Sequence, residues 1–193
     1  AKIKQEKRMT QSEYPSVLLI YTGGTIGMIE NPETGALEAF NFDQLQDNVP
    51  ELKRFNYRIS SYQFNPPIDS SDMEPALWAK LVKIIKYNYD NFDGFVILHG
   101  TDTMAYTASA LSFMLENLQK PVVLTGSQIP LCRLRSDGRE NLITSLLIAA
   151  QGRAAEVCLY FGGKLLRGCR AVKRSADGLQ AFFSPNYPPL ALA

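Results

Sequence analysis

The sequence predicts an α/β fold: a doubly wound, mostly parallel sheet with helices on both faces. Two observations carry that expectation. Short apolar runs such as Val17-Leu18-Leu19-Ile20-Tyr21 and Phe95-Val96-Ile97-Leu98 are rich in β-branched and aromatic residues and end in glycine turns. That is the pattern of strands covered on both sides, as in parallel sheets. Between such runs lie stretches with helical spacing of apolar residues, so strand and helix alternate in the order that gives right-handed crossovers.

The elements follow in order. After the first strand, Met28-Ile29-Glu30-Asn31-Pro32-Glu33-Thr34-Gly35-Ala36-Leu37-Glu38 has the glycine, proline and polar content of a flexible lid. Phe42 to Asn48 reads as a short helix, and Tyr57 to Phe64 as a second strand that stops at Pro66-Pro67. Pro75 to Asp90 is an amphipathic helix with Leu77, Leu81, Ile84 and Ile85 on one stripe. Strand Phe95 to Leu98 follows, then a helix from about Thr103 to Leu118. Strand Val122 to Leu124 runs into a third strand-end glycine turn, Thr125-Gly126-Ser127. A helix over Asn141 to Ala150 leads to a last strand, Val157 to Phe161. There is no internal repeat and no low-complexity tract.

Composition fits one domain with an ordinary core, at 193 residues and 46% hydrophobic. Twenty basic against 19 acidic residues leave a net charge of +1, which argues against nucleic acid or an anionic membrane as partner. Arg133, Arg135 and Arg139 are interleaved with Asp137 and Glu140 and read as a solvated surface. Cys132, Cys158 and Cys169 have no metal-type spacing and fit free thiols in a reducing compartment, Cys158 as a core residue. Residues 1–13 read as a flexible segment; the charged start Ala1-Lys2-Ile3-Lys4-Gln5-Glu6-Lys7-Arg8 has no apolar region and is not a secretory signal. No stretch is long enough to span a membrane.

Two strand ends carry chemistry. Thr25 lies in Thr22-Gly23-Gly24-Thr25-Ile26-Gly27, and Thr101 in His99-Gly100-Thr101-Asp102-Thr103. Loops at the carboxyl ends of parallel strands are where open α/β sheets bind ligands. Two hydroxyls and the Asp102 carboxylate therefore reach one edge of one sheet. Taken singly, each motif is an ordinary turn, with Thr25 or Asp102 capping the next element. The first fits neither a dinucleotide fingerprint nor a P-loop. As a pair they suit nucleophilic catalysis: a threonine hydroxyl needs a relay to activate it, and glycine turns free backbone N–H groups for an oxyanion. Such chemistry needs no metal and no cofactor. The lone His99 reads as a structural histidine.

Both motifs resemble the two signatures of the bacterial L-asparaginase family, and their wording is most like that of its cytoplasmic type I members. The resemblance runs from about Tyr14 to the end of the chain. It implies hydrolysis of L-asparagine to L-aspartate and ammonia, with Thr25 as nucleophile and an acyl-enzyme intermediate. Thr101, Asp102 and Lys173, the last in Arg170-Ala171-Val172-Lys173, would form the supporting relay. Ser70 would bind the substrate's α-carboxylate with Ser71 beside it, and Asp102 its α-ammonium. Read alone, Ser70-Ser71-Asp72 is a helix start with Pro75 in the first turn, where a carboxylate is favoured. Ser127 would bring a backbone carbonyl to the scissile amide.

The resemblance also marks differences. Family members usually carry a tyrosine in the lid, and residues 28–38 contain none. Members are commonly much longer, in two α/β domains, with the site completed by a neighbour's C-terminal domain. Residues 14–184 are thus expected to be the N-terminal domain and 185–193, with Pro185, Pro188 and Pro189, the start of a linker to a C-terminal domain absent from this chain. A cytoplasmic homodimer or homotetramer is implied. Two other functions fit the motifs: an amidase subunit related to Glu-tRNA amidotransferase, or a non-catalytic amino-acid-binding domain.

Overall fold

Side chains that point alternately to the two faces of a single sheet divide the core into two layers, one on either side of it. The computed structural model describes residues 14–30, 34–35, 37–39 and 49–193. The chain runs β1 (Ser16–Tyr21), a hairpin of β2 (Met28–Glu30) and β3 (Leu37–Ala39), β4 (Arg58–Gln63), α1 (Pro75–Asn88), β5 (Gly94–Leu98) and α2 (Met104–Met114). It continues with β6 (Val122–Thr125), α3 (Gly138–Gln151), β7 (Val157–Phe161), β8 (Lys164–Arg167), β9 (Val172–Lys173), β10 (Phe182–Phe183) and β11 (Ala191–Leu192). The expected helix over Phe42 to Asn48 lies outside the described residues.

The seven-stranded sheet has the order β11-β8-β7-β6-β5-β1-β4. Strands β4, β1, β5, β6 and β7 are parallel, while β8 and β11 add antiparallel strands at one edge. Leu18 and Ile20 of β1 face α1 and α2, in a layer with Phe95, Ile97, Leu81, Ile85, Ala108 and Leu111. Their neighbours Val17, Leu19 and Tyr21 face the other way, toward Leu142, Leu146 and Ala149 of α3. Period-two alternation and helices on both faces follow from the same apolar runs, because β1, β5, β6 and β7 are buried on both sides.

β4 and β5 lie on opposite sides of β1, so the chain reverses its direction of winding there. Such a switch point leaves a crevice between the carboxyl ends of the two strands that flank it. Here those strands are β1 and β5, which end at Tyr21 and Leu98 and lead directly into the two threonine turns.

The helix bounds differ most from expectation at two ends, while α1 stops at Asn88, two residues short of Asp90. α2 stops at Met114, four residues short of Leu118, where Asn117 adopts a left-handed conformation (φ 54°) that asparagine tolerates. α3 begins at Gly138 instead of Asn141, and Asp137 makes no cap bond to it because its carboxylate is used elsewhere. Ala191 and Leu192, in the stretch expected to open a linker, pair with Leu165 and Lys164 of β8. Among the described residues no helix is long and apolar enough to cross a membrane, and no cluster of His, Cys, Asp and Glu could hold a metal ion.

Candidate active site

The two threonine turns touch through their glycines. Gly24 has φ 92°, and a Cβ there would lie 2.5 Å from both N and Cα of Gly100. A Cβ on Gly100 would in turn lie 2.5 Å from Ser70 Oγ. Only hydrogen at both positions lets the three segments stack. Thr25 and Thr101 each follow one of the touching glycines, and Ser70 packs on the second. The Thr103 hydroxyl donates to the Ser70 carbonyl at 2.6 Å and closes the third side.

Thr25 opens the 3₁₀ turn Thr25–Gly27, is half-buried, and supplies no side-chain cap. The turn rests on Tyr21, whose hydroxyl donates to the Gly24 carbonyl at 3.3 Å and whose ring lies directly beneath Gly27. Burial pushes the Tyr21 phenol up to about 12, so it stays a neutral brace. From the far side, Leu131 N–H donates to the Ile26 carbonyl at 3.3 Å.

Lys173 reaches the second turn from across the sheet edge. Its Nζ donates to Thr101 Oγ1 at 2.9 Å and to Asp102 Oδ1 at 2.6 Å. The side chain of Lys173 is 16% exposed and that of Asp102 68%. The lysine is placed by register: Lys173 pairs with Phe182, which is buried against Phe161 with ring centroids 5.0 Å apart. Asp102 does not cap α2, whose N-cap Thr103 has no side-chain cap bond. Neither motif is therefore a simple cap: Thr25 makes no cap bond, and Asp102 is engaged by Lys173 instead.

Ser70 is buried (5% exposed) and Ser71 exposed. They belong to a separate 3₁₀ turn, Ser70–Asp72, in which Asp69 Oδ1 accepts from the Ser71 N–H at 2.9 Å and the Ser71 hydroxyl at 2.8 Å. This corrects the expected helix start: α1 begins only at Pro75, with Glu74 as N-cap, so Ser70 lies one turn ahead of the helix. Ser127 is buried, and its hydroxyl donates to the Ile129 carbonyl at 2.6 Å. That spends the Ser127 side chain inside its own turn.

His99 is held by a chain of donors. Trp78 Nε1–H donates to Thr107 Oγ1 at 3.0 Å, Thr107 lies 2.9 Å from His99 Nε2, and His99 Nδ1 lies 2.7 Å from the Gly100 carbonyl. Indole is donor-only and a carbonyl acceptor-only, so Nδ1 carries the proton and Nε2 accepts. Burial pushes the imidazole down to about 4. The histidine is a neutral strut that orients Gly100. The unfolded chain binds this proton near 6.5 and the folded one only near 4. Stability contributed by keeping His99 neutral is therefore complete above about pH 6.5 and is lost as pH falls toward 4, to the extent of about 2–3 kcal/mol. Urea midpoints at pH 7 and 4.5 check this: the wild type is expected to lose more between them than His99→Gln.

Three residues of the site carry no sequence signal of their own: Tyr21, Asn141 and Gln128. Asn141, buried in α3, donates to the Gly126 carbonyl at 3.0 Å and accepts from the Gly162 N–H at 3.1 Å. It ties the third glycine turn to the β7–β8 hairpin. A groove of about 710 Å³, lined by Asp102, Lys173, Tyr106, Cys169, Arg170 and Asn186 among others, opens beside the Lys173–Asp102 pair and does not reach Thr25.

The sequence profile described as "Asparaginase, N-terminal" matches residues 16–193. The chain belongs to the asparaginase family. It is 52% identical to L-asparaginase 1 of Escherichia coli strain K12 over 180 residues, covering 91% of this chain and 52% of that protein. The crystal structure of L-asparaginase I from Vibrio cholerae superposes with a TM-score of 0.85 at 49% identity, covering 93% of this chain and 54% of the other. A further match is a glutamyl-tRNA(Gln) amidotransferase subunit of Thermococcus kodakarensis, at 41% identity over 92% of this chain and 42% of that protein. The asparaginase fold thus extends across this chain, which spans about half the length of these asparaginases.

Proposed function

We propose that this chain carries the threonine machinery of an L-asparaginase, hydrolysing L-asparagine to L-aspartate and ammonia. The observation that carries the reading is the Lys173–Thr101–Asp102 contact set, built one residue beyond the glycine that packs on the Thr25 turn. Thr25 Oγ attacks the side-chain amide carbon, and its proton passes through Thr101 and Lys173 to the departing nitrogen. Backbone N–H groups of the glycine turns stabilise the oxyanion. Ammonia leaves, an ester to Thr25 remains, and water cleaves it to aspartate and free hydroxyl. Ser70 and Ser71 take the substrate's α-carboxylate. Lys173 engages Asp102 through Oδ1, which leaves Oδ2 for the α-ammonium, and the Ser127 carbonyl meets the amide.

The assembled protein is a cytoplasmic homodimer or homotetramer whose neighbour closes the open side of the site. Residues 14–184 form the N-terminal domain, and 185–193 lead toward a linker while still pairing with β8 through Ala191 and Leu192. The name of the 41% identical amidotransferase subunit supports a second reading, ammonia supply from an amide donor to a partner enzyme. One experiment separates them: ammonia release from L-asparagine and from L-glutamine, with hydroxylamine added to trap the acyl-enzyme. Ammonia with equimolar aspartate, and β-aspartyl hydroxamate in the trap, is the expected result. No release from asparagine by this chain or by a form extended to the length of its relatives would overturn the reading.

A further inference from the structure

We propose that Gln128 is a positioning residue for the threonine chemistry, its amide aiming the Thr101 hydroxyl and tying it to the turn that follows Lys173. The inference rests on the amidase reading above and adds to it a residue outside the signature motifs. Gln128 leaves the third glycine turn with its backbone fixed: its N–H donates to Asp137 Oδ2 and the next N–H to Asp137 Oδ1, each at 3.0 Å. One carboxylate thus pins two successive residues.

The side chain is held as firmly. Gln128 Nε2 donates to the Ala176 carbonyl at 3.0 Å and to the Gly178 carbonyl at 3.2 Å. Both amide protons are spent on acceptor-only groups, so nitrogen and oxygen cannot exchange places without setting three oxygens against one another. The oxygen must face the other way, and there it lies 3.5 Å from Thr101 Oγ1. Thr101 Oγ1 also receives Lys173 Nζ–H at 2.9 Å. A hydroxyl has one proton, and with Lys173 donating to it that proton points at Gln128. In this resting arrangement Lys173 donates to Thr101 and Thr101 to Gln128, and the relay runs when the Thr101 hydroxyl turns from Gln128 toward Lys173. A contact of 3.5 Å is long, as catalytic hydrogen bonds often are before the reacting complex forms.

Gln128 also joins two parts of the site that are distant in sequence. The turn after Lys173 is otherwise closed on itself, by Gly178 N–H to Ser175 Oγ at 3.0 Å and by Arg174 N–H to the Ala181 carbonyl at 2.7 Å. The glutamine amide links that turn to the carboxyl end of β6.

The test uses Gln128→Met, which keeps volume and flexibility without polar ends, and Gln128→Glu. Gln128→Met is expected to lower kcat for asparagine about tenfold with KM within threefold, because a residue that orients the relay acts on the transition state. Backbone hydrogen exchange over 175–178 is expected to quicken in the same variant while its melting temperature holds. In Gln128→Glu an ionised carboxylate opposes two carbonyls, so its kcat relative to wild type is expected to rise as pH falls and the acid regains a proton. A purely packing role would leave that ratio flat. Wild-type kcat and unchanged exchange in Gln128→Met, with Thr25→Ala inactive, would overturn this inference and leave the amidase reading standing. A wild type silent toward asparagine would remove that reading, and this inference with it.

Discussion

Thr25→Ala is expected to lower ammonia release from asparagine by on the order of 10⁴-fold while changing folding stability by less than about 1 kcal/mol. The two parts of that result come from one observation. Thr25 is half-buried at the head of a 3₁₀ turn and caps nothing, so its hydroxyl contributes little to the fold. If the residue were a structural cap, alanine would cost about 1 kcal/mol and spare turnover. If it is the nucleophile, alanine removes the only atom that forms the ester, and a residual rate survives through binding and oxyanion contacts alone. Thr25→Ser keeps the oxygen but loses the methyl that fixes its rotamer, and should retain measurable activity. Activity within tenfold of wild type in Thr25→Ala would end the covalent mechanism.

The sheet was legible because its strands must be hydrophobic on both faces. Val17 to Tyr21 and Phe95 to Leu98 are unbroken apolar runs, and each ends at a glycine that the turn needs. Once both strands are read as neighbours across a switch point, the glycine turns that carry Thr25 and Thr101 have to meet. The residues that hold the site together were not legible in the same way. Gln128 finds Thr101 across 27 residues of sequence and Gly178 across 50, and nothing local in Thr125-Gly126-Ser127-Gln128 encodes either contact. Lys173 is legible only through resemblance, since a lysine in a two-residue strand looks like any solvated lysine.

Other features do have local sequence signals. Gly162 and Gly163 lie between Phe161 and Lys164 with φ of 56° and 80°, and paired glycines of this kind are a strong mark of a two-residue hairpin. They announce the antiparallel edge that β8 begins. Asp69 ahead of Ser70-Ser71 likewise marks a self-contained turn, because an aspartate side chain readily satisfies the N–H two residues on. Tyr21 closes β1 as an ordinary buried aromatic, and its role beneath Gly27 depends on a bend that periodicity does not describe.

Lys173→Met should cost about 10³-fold in kcat, within the span expected of a positioned proton-transfer group. Methionine preserves most of the stem that packs beside the Lys173–Phe182 register pair, so β9 and β10 should stay in place. The carboxylate left behind belongs to Asp102, whose side chain is 68% exposed. Water replaces the lost ammonium there, and the folding cost stays within about 1 kcal/mol, as for other solvated ion pairs. A large loss of turnover with an intact melting temperature would therefore locate the defect in proton transfer. Lys173→Arg sharpens the comparison: it restores the charge beside Asp102, yet guanidinium holds its proton too tightly to receive one from Thr101. If arginine recovered turnover, charge alone would explain Lys173 and the relay would be wrong. If it did not, the amine is needed for its capacity to give and take a proton.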